Sequence, residues 1–166
     1  MDKKMKPGSN STHKSLNIRS IFRCMMEDGY YPRYDNSHIE FKIDDNSAIV
    51  EYEDGILSIR LFFSIDEDDY DLLLEASNVS MIETFIVKPT LLEDMRIIMF
   101  SFEMMCDNVR EFRKFFPRGI EHLKNTILAH REESGRLAMA EKKSSATFVA
   151  TEENEIFPQK GLKILS

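Results

Sequence analysis

The stretch Ala48–Ile65, AIVEYEDGILSIRLFFSI, narrows what this chain can fold into. Two strand-like runs flank Asp54-Gly55. Asp-Gly between apolar runs is a strong hairpin signal, because both residues tolerate the left-handed backbone of a two-residue turn. In the second run Leu57, Ile59, Leu61, Phe63 and Ile65 share one face at period two. The other face, Ile56, Ser58, Arg60, Phe62 and Ser64, is mixed. A strand apolar along one whole side must be covered on that side. The pattern therefore predicts a sheet roofed by other elements.

The flanking sequence extends that sheet. Across His38–Asp44, Ile39, Phe41 and Ile43 alternate with Glu40, Lys42 and Asp44, as in a strand with one wet face. Asp45-Asn46-Ser47 is turn chemistry, so three consecutive antiparallel strands are expected. Arg33–Asp35 carries only a weak strand pattern. Glu83–Pro89 and Met95–Met104 form a second strand pair, with Phe85 and Val87 alternating in the first and Thr90–Asp94 as the link. In Met95–Met104, Ile98, Phe100, Phe102 and Met104 make one face and Ile97, Met99, Ser101 and Glu103 the other, which suits an interior strand.

Helices supply the roof. In Leu16–Asp28, Ile18, Ile21, Phe22 and Met25 recur at helical spacing, Gly29 stands at the C-cap, and Pro32 ends the segment. The acids of Asp66–Asp71 precede Leu72–Ser77 and are read as capping a second helix through its free amides and dipole. A calcium loop lacks its glycine and distal glutamate here. Asp107 or Asn108 caps a third helix with Val109, Phe112, Phe115 and Phe116 on its apolar side. Pro117 is expected to interrupt and bend it, after which Ile120, Leu123, Ile127 and either His130 or Arg131 continue the period. From Ser134 the periodicity fades. Arg136–Lys143 can extend the helix, and Ser144–Ser166 reads as a mobile tail or a segment that folds on a partner.

The predicted fold class is α+β: a twisted, mostly antiparallel five-stranded sheet with helices packed on it, in the order α-β-β-β-α-β-β-α. The expected domain organisation is a flexible leader over 1–14, a core domain over 15–133 and a C-terminal extension over 134–166. Twelve Phe and ten Met among 166 residues are enough for a real core. No run approaches the ~20 apolar residues of a membrane helix, and the basic leader is followed by no apolar signal core, so secretion is not expected. A net charge of −7 argues against general nucleic-acid binding. Acids concentrate in Asp35–Glu75, whereas Arg110–Arg131 is more basic. Cys24 and Cys106 lie far apart in apolar segments and read as reduced core residues.

Little in the chain points to chemistry. His13, His38, His122 and His130 place no close ligand pair on one helical face and are read as solvent-facing. No metal or cofactor is expected. Among the carboxylates Glu103 is the best candidate for acid–base work, being set in an apolar strand, but a strand-end residue pointing to water explains it as well. There is no glycine-rich phosphate loop and no Gly-x-Ser-x-Gly elbow. The methionines, Met25, Met26, Met81, Met95, Met99, Met104 and Met105, fit core filling or a pliable surface for apolar peptides. If the helices cover the odd face of the hairpin strand, Ile56 and Phe62 lie on the open side as a dimer or client patch. The residues assigned to partner binding are Ile56, Arg60, Phe62, Phe112 and Phe116.

The order of elements resembles the type III secretion chaperone-like fold, and in particular its YbjN-type branch of small bacterial proteins. The opening helix Ser15–Gly29, the meander His38–Ile65, the acidic helix start Asp66–Asp71, the strand pair Thr84–Met104 and the helix from Asp107 carry the resemblance. It spans roughly residues 15–133. The resemblance implies a non-enzymatic protein that forms a homodimer and binds a client polypeptide. With the charge and composition, the expectation is a cytoplasmic protein with no nucleic acid, membrane or cofactor involved. Two other readings stand beside it: a small enzyme with a carboxylate-based site, and a structural subunit of an assembly.

Overall fold

A computed structural model of the chain describes residues 16–155 apart from Asn36, Phe85, Glu93 and Met95. Side chains are described as far as Lys143, apart from those of Glu67 and Glu83. The readings made on the leader, on Phe85 and Met95, and on the last eleven residues lie outside the described residues.

Helix α1 runs Ile18–Glu27. Its start is a capping box: the Ser20 amide donates to Asn17 Oδ1 and the Asn17 amide donates to Ser20 Oγ, each at 3.0 Å. It stops at Gly29, whose φ of +84° lets the Gly29 and Tyr30 amides turn back to the Met26 and Met25 carbonyls.

Six antiparallel strands follow in one sheet: β1 Arg33–Asp35, β2 His38–Ile43, β3 Asn46–Glu53, β4 Ile56–Ser64, β5 Val87–Leu92 and β6 Ile97–Met105, in spatial order β1-β2-β3-β4-β6-β5. The expected count of five is corrected to six. β1 has only three residues, all exposed, so no apolar alternation marked it. The β3–β4 turn is Asp54-Gly55, with φ of +50° and +84°. The β2–β3 turn falls at Asp44-Asp45, φ +46° and +66°, one residue earlier than the turn chemistry suggested, and Asn46 begins β3. β5 also starts later than expected, because Tyr70–Glu83 is helix α2. Thr90, Leu91 and Leu92 pair with Met99, Ile98 and Ile97 instead of turning. Pro89 is accommodated because β5 is an edge strand.

Asp69 stands at the α2 N-cap but its side chain makes no capping bond, so that expectation fails; Asp71 in the first turn still favours the helix dipole. Helix α3 runs Val109–Glu155 as a single element of 47 residues, continuing through Pro117 and past Ser134. Asn108 caps it by accepting from the Glu111 amide at 3.0 Å.

The core lies between the odd face of β4 and the helices. Ile39, Phe41, Val50, Leu57, Ile59, Leu61, Phe100 and Phe102 meet Ile21 and Met25 of α1 and Phe112, Phe116 and Leu123 of α3. Phe116 stacks on Phe112 at 4.7 Å and meets Tyr30 edge-on at 5.1 Å. Burying each such side chain contributes about 1.5–3 kcal/mol. Cys24 and Cys106 are free and buried.

Candidate interaction face

With the helices on one side, the even residues of β4 are left on the other. The strand register arranges that open face in rows. One row is Glu51–Ser58–Glu103. The next along the strands is Arg33–Glu40–Ile49–Arg60–Ser101–Lys88. On one side of these rows lie Glu53, Ile56 and Met105, and on the other lie Phe62, Met99 and Thr90. An acidic band thus adjoins a band that carries three cations, with apolar residues at both ends.

Arg60 ties the two bands together. One guanidinium nitrogen lies 2.6 Å from Glu51 and another 3.8 Å from Glu103. These side chains are a third or more exposed, so each pair is a weak fastening. Beside them is a groove of about 730 Å³, walled by Glu51, Glu53, Asp54, Ile56, Ser58, Arg60 and Glu103. Ser58 Oγ and Arg60 Nε are buried there and have no hydrogen-bond partner among the described residues. A buried polar atom without a partner costs about 1–3 kcal/mol, which an incoming group that bonds to it can recover.

The structure brings Ile56, Arg60 and Phe62 together on this face, as their spacing indicated. Ile56 is 49% exposed and Phe62 half-buried. Phe112 and Phe116 are corrected: they are fully buried between α3 and the sheet and present nothing to a partner. Their spacing is that of an apolar helix face, which serves a core as readily as a surface. Ser58 and Met105 also lie here, the latter 80% exposed. The spacing put Ser58 on the face of Arg60 and the composition put Met105 among pliable methionines, but neither was assigned to partner binding. Met105 is set by the cross-strand register, which no single strand pattern contains.

Two polar clusters lie elsewhere. Asp35, His38 and Glu40 hold their ligand atoms within 4.8 Å of one another on the β1–β2 hairpin, a set able to take a divalent cation. The His38 ring is already engaged, by Ser37 at 3.2 Å and by Glu40 at 3.4 Å. Its signal is an i, i+2 pair on a strand plus a cross-strand carboxylate, a spacing unlike that of ligand pairs on a helical face. The second cluster is His130 with Ser77, 3.1 Å apart. His130 is buried, which corrects the reading of all the histidines as solvent-facing; the exposed periods around it mark Glu132 and Leu128 instead. Ser77 gives its hydroxyl proton to the Leu73 carbonyl at 2.7 Å, so the serine is tied into α2 rather than poised as a nucleophile. Glu103, the carboxylate singled out for acid–base work, is 43% exposed and faces Arg60.

No protein-family model matches the chain, and no curated protein matches its sequence. Solved structures do match its fold. YbjN of E. coli, assigned provisionally as a transcription regulator, superposes with a TM-score of 0.61 at 9% identity, covering 73% of this chain and 94% of YbjN. An uncharacterised protein of Methanothermobacter thermautotrophicus superposes with a TM-score of 0.52 at 12% identity, covering 73% of this chain and 98% of its own. The chain has a YbjN-like fold. At such identities the likeness concerns architecture alone. No helix among the described residues is long and apolar enough to cross a membrane.

Proposed function

We propose that this chain is a non-enzymatic, chaperone-like module that binds another polypeptide across the open face of its sheet, and that it works as a cytoplasmic homodimer. The observation that carries this reading is the composition of that face. Ile56 and Phe62 flank Arg60, and Ser58 Oγ and Arg60 Nε have no partner there among the described residues. A polypeptide offers apolar side chains for the first pair and backbone groups for the second. Adjacent bands of opposite charge support self-association, because a two-fold interface requires a patch complementary to itself. The resemblance to secretion chaperones suggests the kind of client, a segment that is not yet folded.

The test is Phe62→Asp. Phe62 is only half-buried and lies outside the core, so the variant is expected to fold with unchanged circular dichroism. The wild-type chain is expected to sediment as a dimer and to suppress aggregation of heat-denatured citrate synthase, and the variant to lose both. Equal dimer mass and equal suppression in the variant would remove the face from the function.

A further inference from the structure

The groove beside Arg60 carries four carboxylates, Glu51, Glu53, Asp54 and Glu103, against one cation. The first fifteen residues, MDKKMKPGSNSTHKS, carry Lys3, Lys4, Lys6 and Lys14 against Asp2 alone. The backbone delivers one to the other. The Leu16 amide donates to the Asp107 carbonyl at 3.2 Å. Asp107 follows Cys106, whose amide donates to the Gly55 carbonyl at 2.8 Å, and a Cβ on Gly55 would lie 3.7 Å from the Asp107 carboxylate. Leu16 therefore sits at the Asp54-Gly55 end of the β3–β4 hairpin, where Asp54 and Ile56 line the groove.

We propose that the lysine-rich segment 1–15 of this same chain docks in that acidic groove. Reach is sufficient. At about 3.3 Å per extended residue, Lys14 lies within ~7 Å of Leu16 and Lys6 within ~33 Å, while Asp54 to Arg60 along β4 is roughly 20 Å. Lys14 meets the mouth at Glu53 and Asp54. Lys4 and Lys6 reach Glu51 and Glu103. An ammonium there donates to Ser58 Oγ, which lies between those two glutamates, is 5% exposed and has no partner among the described residues. The other acidic stretch, Asp66–Asp71, begins beyond the opposite end of β4, so proximity and charge both select the groove. The segment would share Ser58 with the proposed client face, but the inference needs only the chain itself and is tested without a client.

Carbodiimide cross-linking of the full chain tests it, because a zero-length amide forms only between a lysine and a carboxylate in contact. An equal mixture of isotopically light and heavy protein separates links within a chain from links between chains. The expected result is light–light and heavy–heavy peptides joining Lys4, Lys6 or Lys14 to Glu51, Glu53 or Glu103. Their yield should fall at least about fivefold between 20 mM and 500 mM salt, as screening predicts. The double variant Glu53→Gln, Glu103→Gln should lower the links to Glu51 by a similar factor while its circular dichroism stays unchanged. Links to Asp66–Asp71 in preference to the groove would overturn the proposal. Light–heavy links at their statistical share would also overturn it, assigning the groove to the segment of a second copy. Neither outcome touches aggregation suppression, which reads client binding separately.

Discussion

His130 on α3 points Nε2 at the Ser77 hydroxyl of α2, 3.1 Å away, inside the core. Because Ser77 donates to Leu73, the imidazole is the donor in this pair. Phe100 meets the ring edge-on at 5.2 Å. Burial pushes the His130 pKa down, opposed in part by the Leu73 carbonyl. A histidine in the unfolded chain titrates near ~6.5. The depressed folded value means that His130 contributes stability above that pH and loses it as pH falls through the folded value. The urea midpoint should therefore drop between pH 7.5 and pH 5.5. His130→Leu should unfold cooperatively with most of that drop removed. The charged groups around the adjoining hollow are Asp66, Asp69 and Arg131, and a drop of equal size in the variant would show that His130 does not carry the effect.

Two glycines of α3 should respond to alanine with opposite signs. Alanine in a helix interior normally adds about 1 kcal/mol over glycine. At Gly135 nothing lies within 4 Å of an added Cβ, so Gly135→Ala should stabilise by about that amount. At Gly119 the Cβ would fall 2.7 Å and 2.8 Å from the Phe102 ring, where α3 crosses β6. Phe102 is itself buried, so the ring has little room to yield. Gly119→Ala should cost roughly 1–3 kcal/mol despite its better propensity. Thermal melts of the two variants decide it, and a gain at Gly119 would mean that α3 stands off the sheet.

How much of this was legible follows from which interactions are local. The Asp54-Gly55 hairpin, the alternation in β2 and β4, and the Gly29 stop are written within a few residues each, and all three appear where the pattern put them. β1 was legible only as the weak pattern at Arg33–Asp35, because an exposed three-residue edge strand depends on β2 for its pairing more than on its own sequence. Phe112 and Phe116 share a spacing that fits a core or an interface equally, and only the position of α3 against the sheet decides between them. The groove beside Arg60 is a product of register across β3, β4 and β6. Its members were visible singly, as Arg60 and Glu103 were, but not as neighbours.

Tyr52 should hold the end of the sheet closed. Its hydroxyl donates to the Cys106 carbonyl at 2.9 Å, fastening β3 to the chain just after β6 and beside the start of α1. Tyr52→Phe removes the donor and leaves the carbonyl, at a cost of about 1 kcal/mol. A fall in Tm of several degrees is expected, with near-ultraviolet circular dichroism otherwise native. An unchanged Tm would show that the carbonyl is satisfied without the tyrosine.

The same corner governs the reactivity of Cys106. Burial, with Glu111 nearby, pushes its thiol up to about 11, although a backbone hydrogen bond at Asn108 opposes the shift. Thiolate is the reactive form, so at pH 8 about one molecule in a thousand is competent, against about one in four for an ordinary cysteine. The Cys24→Ser variant isolates this thiol, since the chain has only two cysteines. In that variant, reaction with a disulfide reagent at pH 8 should be at least ~100-fold slower in the folded protein than in guanidinium. Steric closure at a fully buried side chain can only slow it further. A folded-state rate within about threefold of the denatured one would mean that the corner where Leu16, Gly55 and Cys106 meet opens readily. The groove mouth would then lack the fixed edge from which the lysine-rich segment is aimed.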